Sequence, residues 1–596
     1  MSASLLSHIC PQTVSDSARQ ESRNRELRLP PVQVYRWWAR RTAAVTGALI
    51  DAAQAHWGHP PTVLDPFAGG GTIPFVAIER GCRVQAGDIN PWAVWGLRTA
   101  LSLPPPSDVA AGLSRLHRRA SQLLAAAYRT THKGRPADIA HTMRVAVAPC
   151  SRCGEMARLF PHALVSLLRR RDHGPGPAWL ACPAGHLFMG DPTKNQPCPD
   201  CQRHTDPTAR YLPRRTVRCL SCNHTEQLAD RVGAQWTWDV VLVERICAGK
   251  RHLCRPSRAE VQQADGSRWQ PRTPLGPIPT GKETRVLLRH GFRTWSDLYP
   301  RRQRVVLEGL LALCSTEVER AAVLGVTEMA GLLSRGDRYY LKSIEGMAGH
   351  RFNFTTLPVE SNVWGVGRTG RGTLQRRMIG LQKASSWLHD QPSPQAQVFC
   401  QDAAKPPLQN VDLILTDPPY FDDVHYDELS LPLRAWAGLS TTPLHSEAVA
   451  DPADLHDHTA NLHRIFSGLR QALSPEGHLV FSYANRKPDA WMCLFSALEQ
   501  AGFTGVGYAT VHSENERDHA KRGTRAHHLD LILDLTAHDH PSAHHPPHRA
   551  PPVAHTDEEA FLRLAGEAAL LLGQSPWKAA LHQALTRHPF RHAGAK

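Results

Sequence analysis

The chain is short of the features that mark secreted and membrane proteins. No apolar run approaches the roughly 18 residues of a membrane span, and the N-terminus lacks the charged start and apolar core of a signal peptide. A cytoplasmic protein with no membrane partner is expected, and with it cysteines that stay out of disulfides. Two common nucleotide loops are missing from its first glycine cluster. The run Gly69-Gly70-Gly71-Thr72 has neither the G-x-G-x-x-G spacing of a nicotinamide site nor the Lys-Ser/Thr ending of a phosphate loop. Acid is in deficit too: Asp and Glu number 54 against 69 Lys and Arg, giving a net charge of +15 and a pI near 9.4. Such a surplus suits a polyanionic partner, because each neutralised phosphate releases counterions. Arg169-Arg170-Arg171, Arg214-Arg215 and Arg376-Arg377 concentrate part of it in the middle of the chain. At 596 residues and 66.0 kDa the protein exceeds one core, and about two to four domains are expected.

The most informative segment is Val411-Asp412-Leu413-Ile414-Leu415-Thr416 followed by Asp417-Pro418-Pro419-Tyr420. It reads as a buried strand ending in a rigid, acidic, aromatic turn. The carboxylate of Asp417 and the carbonyl of Pro418 can accept hydrogen bonds from an exocyclic amino group. The proline pair holds them in place, and Tyr420 offers a flat face to a base. This is the pattern of an amino-group methylation site. Far upstream, Thr62-Val63-Leu64-Asp65-Pro66-Phe67-Ala68 leads into Gly69, Gly70, Gly71 and Thr72. It is a short strand entering a glycine-rich turn and then a helix, at the place where an open α/β sheet receives its cofactor. The next strand, Arg83 to Asp88, ends in an acid placed to bind ribose hydroxyls.

Between the two motifs lies far more chain than two or three βα units need, at roughly 30 residues each. The insert opens with Cys150 and Cys153, then Cys182 and His186, Cys198 and Cys201, and Cys219 and Cys222. These eight N/S ligands suit two tetrahedral structural Zn2+ sites, each fully occupied by protein. Taken consecutively, Cys198 to Cys222 form one set and Cys150 to His186 the other.

The two motifs together resemble the amino-methyltransferases that use S-adenosyl-L-methionine to methylate adenine or cytosine in DNA, with Phe67-x-Gly69-x-Gly71 in the cofactor motif. The zinc ribbons narrow the resemblance to the zinc-ribbon-containing adenine-specific DNA methylase family. Leu29 to Arg41, built around Trp37-Trp38-Ala39-Arg40-Arg41, is similar to that family's N-terminal signature, and Asp297 to Gln303 and Leu357 to Asn362 are similar to later segments. Thr42 stands where the family usually has proline. The resemblance implies a seven-stranded Rossmann-like methyltransferase sheet in an α/β fold, interrupted by a large zinc-ribbon and helical insert. It further implies cofactor contacts from Asp65, Phe67, Gly69, Gly71, Thr72, Asp88 and, at the cofactor's adenine, Asp402. Catalysis falls to Asp417, Pro418, Pro419 and Tyr420, acting on a base flipped out of duplex DNA, with adenine N6 favoured by the resemblance alone.

The expected organisation is residues 26–130 as the first part of the methyltransferase domain, 145–228 as the zinc-ribbon insert and 229–395 as a helical target-recognition region. Residues 396–536 return to the sheet, 537–556 form a histidine- and proline-rich linker, and 557–596 a C-terminal helical segment. Within the insert, Gly249 to Gly281 reads as a linker or exposed loop. An RNA base methyltransferase, or a catalytically silent DNA-binding module of a defence system, stays open on these motifs, as does a restriction or phage-defence partner. A zinc hydrolase would need an open metal position, which the spacing does not supply.

Overall fold

The computed structural model describes residues 3–168, 176–232, 236–338, 341, 343–347, 349, 351–366, 372–392, 395–407, 409–418, 424–444, 455–485, 487–512, 529–537, 547–549, 556–574 and 576–587. Two compact units result: Met1–Pro106, Lys383–Asp427 and Thr442–Lys596 make one, Ser107–Gln382 and Glu428–Thr441 the other. No helix among the described residues is long and apolar enough to cross a membrane.

The first unit is built on seven strands: β1 (Thr62–Asp65), β2 (Arg83–Asp88), β3 (Ala396–Cys400), β4 (Val411–Thr416), β5 (Leu473–Tyr483), β6 (Phe503–His512) and β7 (Leu529–Ala537). They hydrogen-bond in the order β3-β2-β1-β4-β5-β7-β6. The first five run parallel, and β7 is antiparallel to both of its neighbours. This is the seven-stranded α/β sheet expected of the sequence, interrupted between β2 and β3 by the long insert. Val63, Leu64, Val411, Leu413 and Ile414 are at most 1% exposed, so the central strands are apolar on both faces, as a parallel sheet covered by helices requires. Helices Thr72–Glu79 and Pro91–Leu101 follow β1 and β2, and Leu455–Ala472 and Pro488–Gln500 lead into β5 and β6. The C-terminal helices belong to this core, since Phe561, Leu562 and Trp577 share one buried cluster with Trp491 and Phe503. The start of the chain is tied in as well: Ser4 Oγ and Leu5 N each donate to Asp534 Oδ2 at 2.8 Å.

Strand order reverses at β1, with β2 and β3 on one side and β4 on the other. Val63 pairs with Leu413 and Leu64 with Ile414, so the chains leaving β1 and β4 emerge side by side at the carboxyl edge. An open α/β sheet forms its ligand crevice at such a reversal.

The second unit has a spine of two long antiparallel strands, Arg135–Pro149 and Thr237–Cys247, widened by Lys250–Cys254 and Val359–Ser361. Helices Pro106–Tyr128, Arg301–Leu313 and Glu317–Leu324 accompany it, so the region 229–395 holds strands as well as the expected helices. Arg302 Nε donates to Glu360 Oε1 at 2.9 Å, and Arg144 Nη2 donates to Glu360 Oε2 at 3.1 Å. All three residues are buried. Two sequence segments singled out by resemblance, Asp297 to Gln303 and Leu357 to Asn362, thus converge on one buried ion network. Their visible role is to fasten helix Arg301–Leu313 to the sheet.

Candidate active site and metal centres

At the edge of β1, Asp65 is a tie between strands. Its Oδ1 accepts from Thr416 Oγ1 on β4 at 2.8 Å, across 351 positions of sequence, and from Phe67 N at 3.2 Å. Burial pushes its carboxyl up to about 8, against the pull of those two donors. Asp88, ending β2, accepts from Gly69 N and from Asn90 N, each at 2.8 Å. Burial raises it to about 6, with the backbone N–H groups of Asn90, Gly69 and Ile89 opposing. The acid expected at the ribose therefore also braces the glycine turn. Phe67, Ile89 and Asp402, at the same edge, are half-buried. Asp402 is engaged by Arg464, whose Nη1 lies 2.6 Å from its Oδ2, and accepts from Ala404 N at 2.9 Å.

The glycines also serve the protein's own packing. Gly69 and Gly71 have φ of +40° and +80°, the left-handed region that side chains disfavour. A Cβ at Gly69 would sit 2.6 Å from Trp37 Nε1, and one at Gly70 would sit 3.0 Å from Arg40 Cγ. The close approach is made by the protein's own N-terminal segment, and Tyr35 donates its hydroxyl to Gly69 O at 2.5 Å. Trp37 in turn stacks on Tyr426, centroids 5.2 Å apart at 19°. The Trp-Trp-Ala-Arg-Arg segment is thus a cover over the glycine turn. Gly71 faces inward, where a Cβ would lie 2.6 Å from both Leu97 Cδ2 and Phe75 Cε2. Gly71→Ala is expected to cost about 1–3 kcal/mol through strain and overpacking, read as a lowered thermal midpoint. An unchanged midpoint would contradict this geometry.

Asp417 emerges from β4 beside that turn, its side chain 25% exposed. Arg41 Nε donates to its Oδ2 at 2.7 Å and Arg41 Nη2 to its Oδ1 at 2.6 Å, a two-pronged pairing. Ser482 Oγ on β5 adds a bond to Oδ1 at 3.2 Å. The third guanidinium nitrogen of Arg41 reaches Asp530 Oδ2 on β7 at 2.5 Å. Burial raises the Asp417 carboxyl above its ordinary value, with Arg41 the chief opposing influence. Behind this cluster a small cavity of about 20 Å3 is lined by Arg41, Thr46, Thr416, Asp417, Ser482 and Asp530, which is room for about one water and not for a nucleoside. Pro418 is buried beside Asp417. Pro419 and Tyr420 lie outside the described residues. Arg41, Ser482 and Asp530 were not anticipated as site residues. The one signal for Asp530 was an acid within the apolar strand Leu529-Asp530-Leu531-Ile532-Leu533-Asp534, on the same strand face as Asp534.

The eight metal-type ligands come together in two fours, but not the consecutive ones. Cys150, Cys153, Cys219 and Cys222 form one group, and Cys182, His186, Cys198 and Cys201 the other, with the ligand atoms of each within 4.8 Å of one another. Sulfur pairs Cys150–Cys222, Cys153–Cys219 and Cys182–Cys201 are each 3.7 Å apart, and Cys198 Sγ is 3.9 Å from His186 Nδ1. A tetrahedron with Zn–S bonds of ~2.3 Å has edges of about 3.8 Å, so both sets fit zinc. The groups are nested and not consecutive because of the path of the chain. It leaves the first pair at the end of strand Arg135–Pro149, builds a complete ribbon on strands Leu164–Leu167, Ala178–Ala181 and Leu187–Gly190, and returns to close the outer site.

No family model matches the chain. No curated protein matches it. Among solved structures, one described as a class I S-adenosylmethionine-dependent methyltransferase from Listeria monocytogenes aligns at 13% identity and a TM-score of 0.17, over 31% of this chain and 49% of that one. The chain thus spans about half the length of that protein, and at that TM-score the likeness says nothing of function.

Proposed function

We propose that the protein is an S-adenosylmethionine-dependent methyltransferase acting on an exocyclic amino nitrogen of DNA, adenine N6 being the position favoured by the family resemblance. The observation that carries the reading is the adjacency of the glycine turn and Asp417, joined by the Thr416–Asp65 hydrogen bond at the sheet's reversal point. The donor set is compatible with the cofactor. Asp88, Asp65, Asp417 and Asp530 follow one another along this edge with Arg41 between the last two; Asp65 is mostly protonated near neutrality, so the three other carboxylates against one guanidinium leave the negative charge that suits a cationic ligand. When bound, S-adenosylmethionine supplies a methyl group on a positively charged sulfur.

Asp417 and the Pro418 carbonyl would accept from the target amino group and so orient its nitrogen lone pair. By the resemblance, Tyr420 would stack on the extruded base, whose unstacking costs a few kcal/mol. Positioning and fixed charge supply most of the rate. The zinc sites take no part in the chemistry, because all four ligand positions of each are filled by protein. The basic insert presents arginines to the phosphate backbone.

Incubation with methyl-labelled cofactor separates the readings. Label in duplex DNA is expected. Label in transfer RNA alone would establish the RNA alternative, and label in neither would remove the enzyme reading.

A further inference from the structure

Arg41 belongs to neither motif, yet it carries the best-formed ion pair of the crevice. Its fork binds both oxygens of Asp417, and its remaining nitrogen is held by Asp530. The side chains of Arg41 and Asp530 are 14% and 3% exposed. A cluster of two carboxylates on one guanidinium, largely withdrawn from water, is poor economy for stability alone, since apolar residues of similar volume often do as well. Its place beside a substrate crevice suits a functional task better.

We propose that Arg41 is a positioning residue for methyl transfer: its two-pronged grip fixes the orientation and charge of the Asp417 carboxylate, and Asp530 fixes the grip. The proposal rests on the amino-methyltransferase reading above. A carboxylate that rotates presents its lone pairs in many directions, whereas one held side-on by a planar guanidinium presents them in one plane. Lysine cannot do the same, being a single point charge on a flexible stem.

Among the described residues, the groups facing Asp417 include Arg41 from the N-terminal segment, Asp65 from β1, Ser482 from β5 and Asp530 from β7, with Tyr426 beside Arg41. Asp65 and Asp530 resist its ionisation, Ser482 favours it, and Arg41 does most to maintain it against burial. Without the fork, Asp417 takes up a proton at higher pH, and the reacting amine loses its acceptor.

The test uses the whole 596-residue chain. Methyl transfer to duplex DNA is measured across about pH 5.5 to 9 for wild type and Arg41→Lys. For Arg41→Lys, cofactor affinity is expected within about threefold of wild type. Its kcat is expected to fall about tenfold near neutrality and to recover as pH rises, with the acidic limb displaced upward by about one unit. A profile that superimposes on wild type after scaling overturns the proposal. A thermal-unfolding cycle of Arg41→Met, Asp417→Asn and the double variant supplies a readout free of activity, with Arg41→Lys in place of Arg41→Met should the latter not fold. The double variant is expected to be more stable than the single Arg41 variant, and strict additivity overturns the pairing. Failure of wild type to methylate either nucleic acid sinks the methyltransferase reading itself, whereas transfer with an unshifted Arg41→Lys profile sinks only the role of Arg41.

Discussion

Asp417→Asn is expected to lower methyl transfer about a thousandfold, the scale of removing one well-placed polar contact to a reacting group, while cofactor affinity stays within a few fold. The substitution keeps the shape of the side chain. One of its two terminal atoms becomes an amide donor facing the Arg41 fork, so the acceptor geometry offered to a target amine is lost. The fold should survive, because Arg41 keeps Asp530 as a partner and Thr416 keeps Asp65. Single-turnover kinetics with labelled cofactor, alongside equilibrium binding of the cofactor, checks both halves. Normal turnover in the variant would show that the carboxylate does not touch the chemistry.

Loss of zinc is expected to be the other large effect. Structural zinc contributes on the order of 10 kcal/mol to folding in isolated zinc-finger peptides, and the outer site here ties the end of strand Arg135–Pro149 to the hairpin Thr216–Arg218 and Thr225–Gln227. A strong chelator should therefore expose residues 150–227 to protease. Elemental analysis of paired variants tests the nested arrangement. About two zinc ions per chain are expected in the wild type. Cys150→Ser with Cys219→Ser damages one site and should leave about one ion, whereas Cys198→Ser with Cys219→Ser damages both and should leave none. The consecutive grouping demands the reverse.

What could be read from sequence was the pair of strand ends and their turns. The run from Val411 to Asp417 and the run from Thr62 to Thr72 each combine a continuous apolar strand with a turn of restricted backbone, and local residue types suffice to specify both. Their adjacency was expected as well, and β1 and β4 do pair side by side. The partners that arrive from elsewhere were hidden. Arg41 precedes Asp417 by 376 positions and Asp530 by 489, and although it closes the Trp-Trp-Ala-Arg-Arg segment, nothing local says which acids its fork reaches. Gly69 and Gly70 looked like room for a ligand and are also the seat of Trp37 and Arg40. A missing Cβ records only that something comes close, not what.

The insert shows the same limit. Gly249 to Gly281 reads as a linker by its proline, arginine and glycine content, yet it carries strand Lys250–Cys254 and helix Arg258–Asp265. That helix opens with a capping box in which Ser257 and Glu260 satisfy each other's backbone, a short signature that composition obscured. Zinc pairing was undetermined for a different reason. Four closely similar ligand pairs carry no information about which strands bring them together.

The central claim is that one small molecule spans the glycine turn and Asp417. A crystal structure with an unreactive cofactor analogue, carrying an amine in place of the methyl-bearing sulfur centre, tests it most directly. The account predicts the nucleoside along the carboxyl ends of β1 and β2, near Phe67, Asp88 and Asp402. The reactive end of the analogue should face Asp417, close enough for a base amino group to bridge the two at about 3 Å from the carboxylate. An analogue seated elsewhere, or one whose reactive end points away from Asp417, would contradict it.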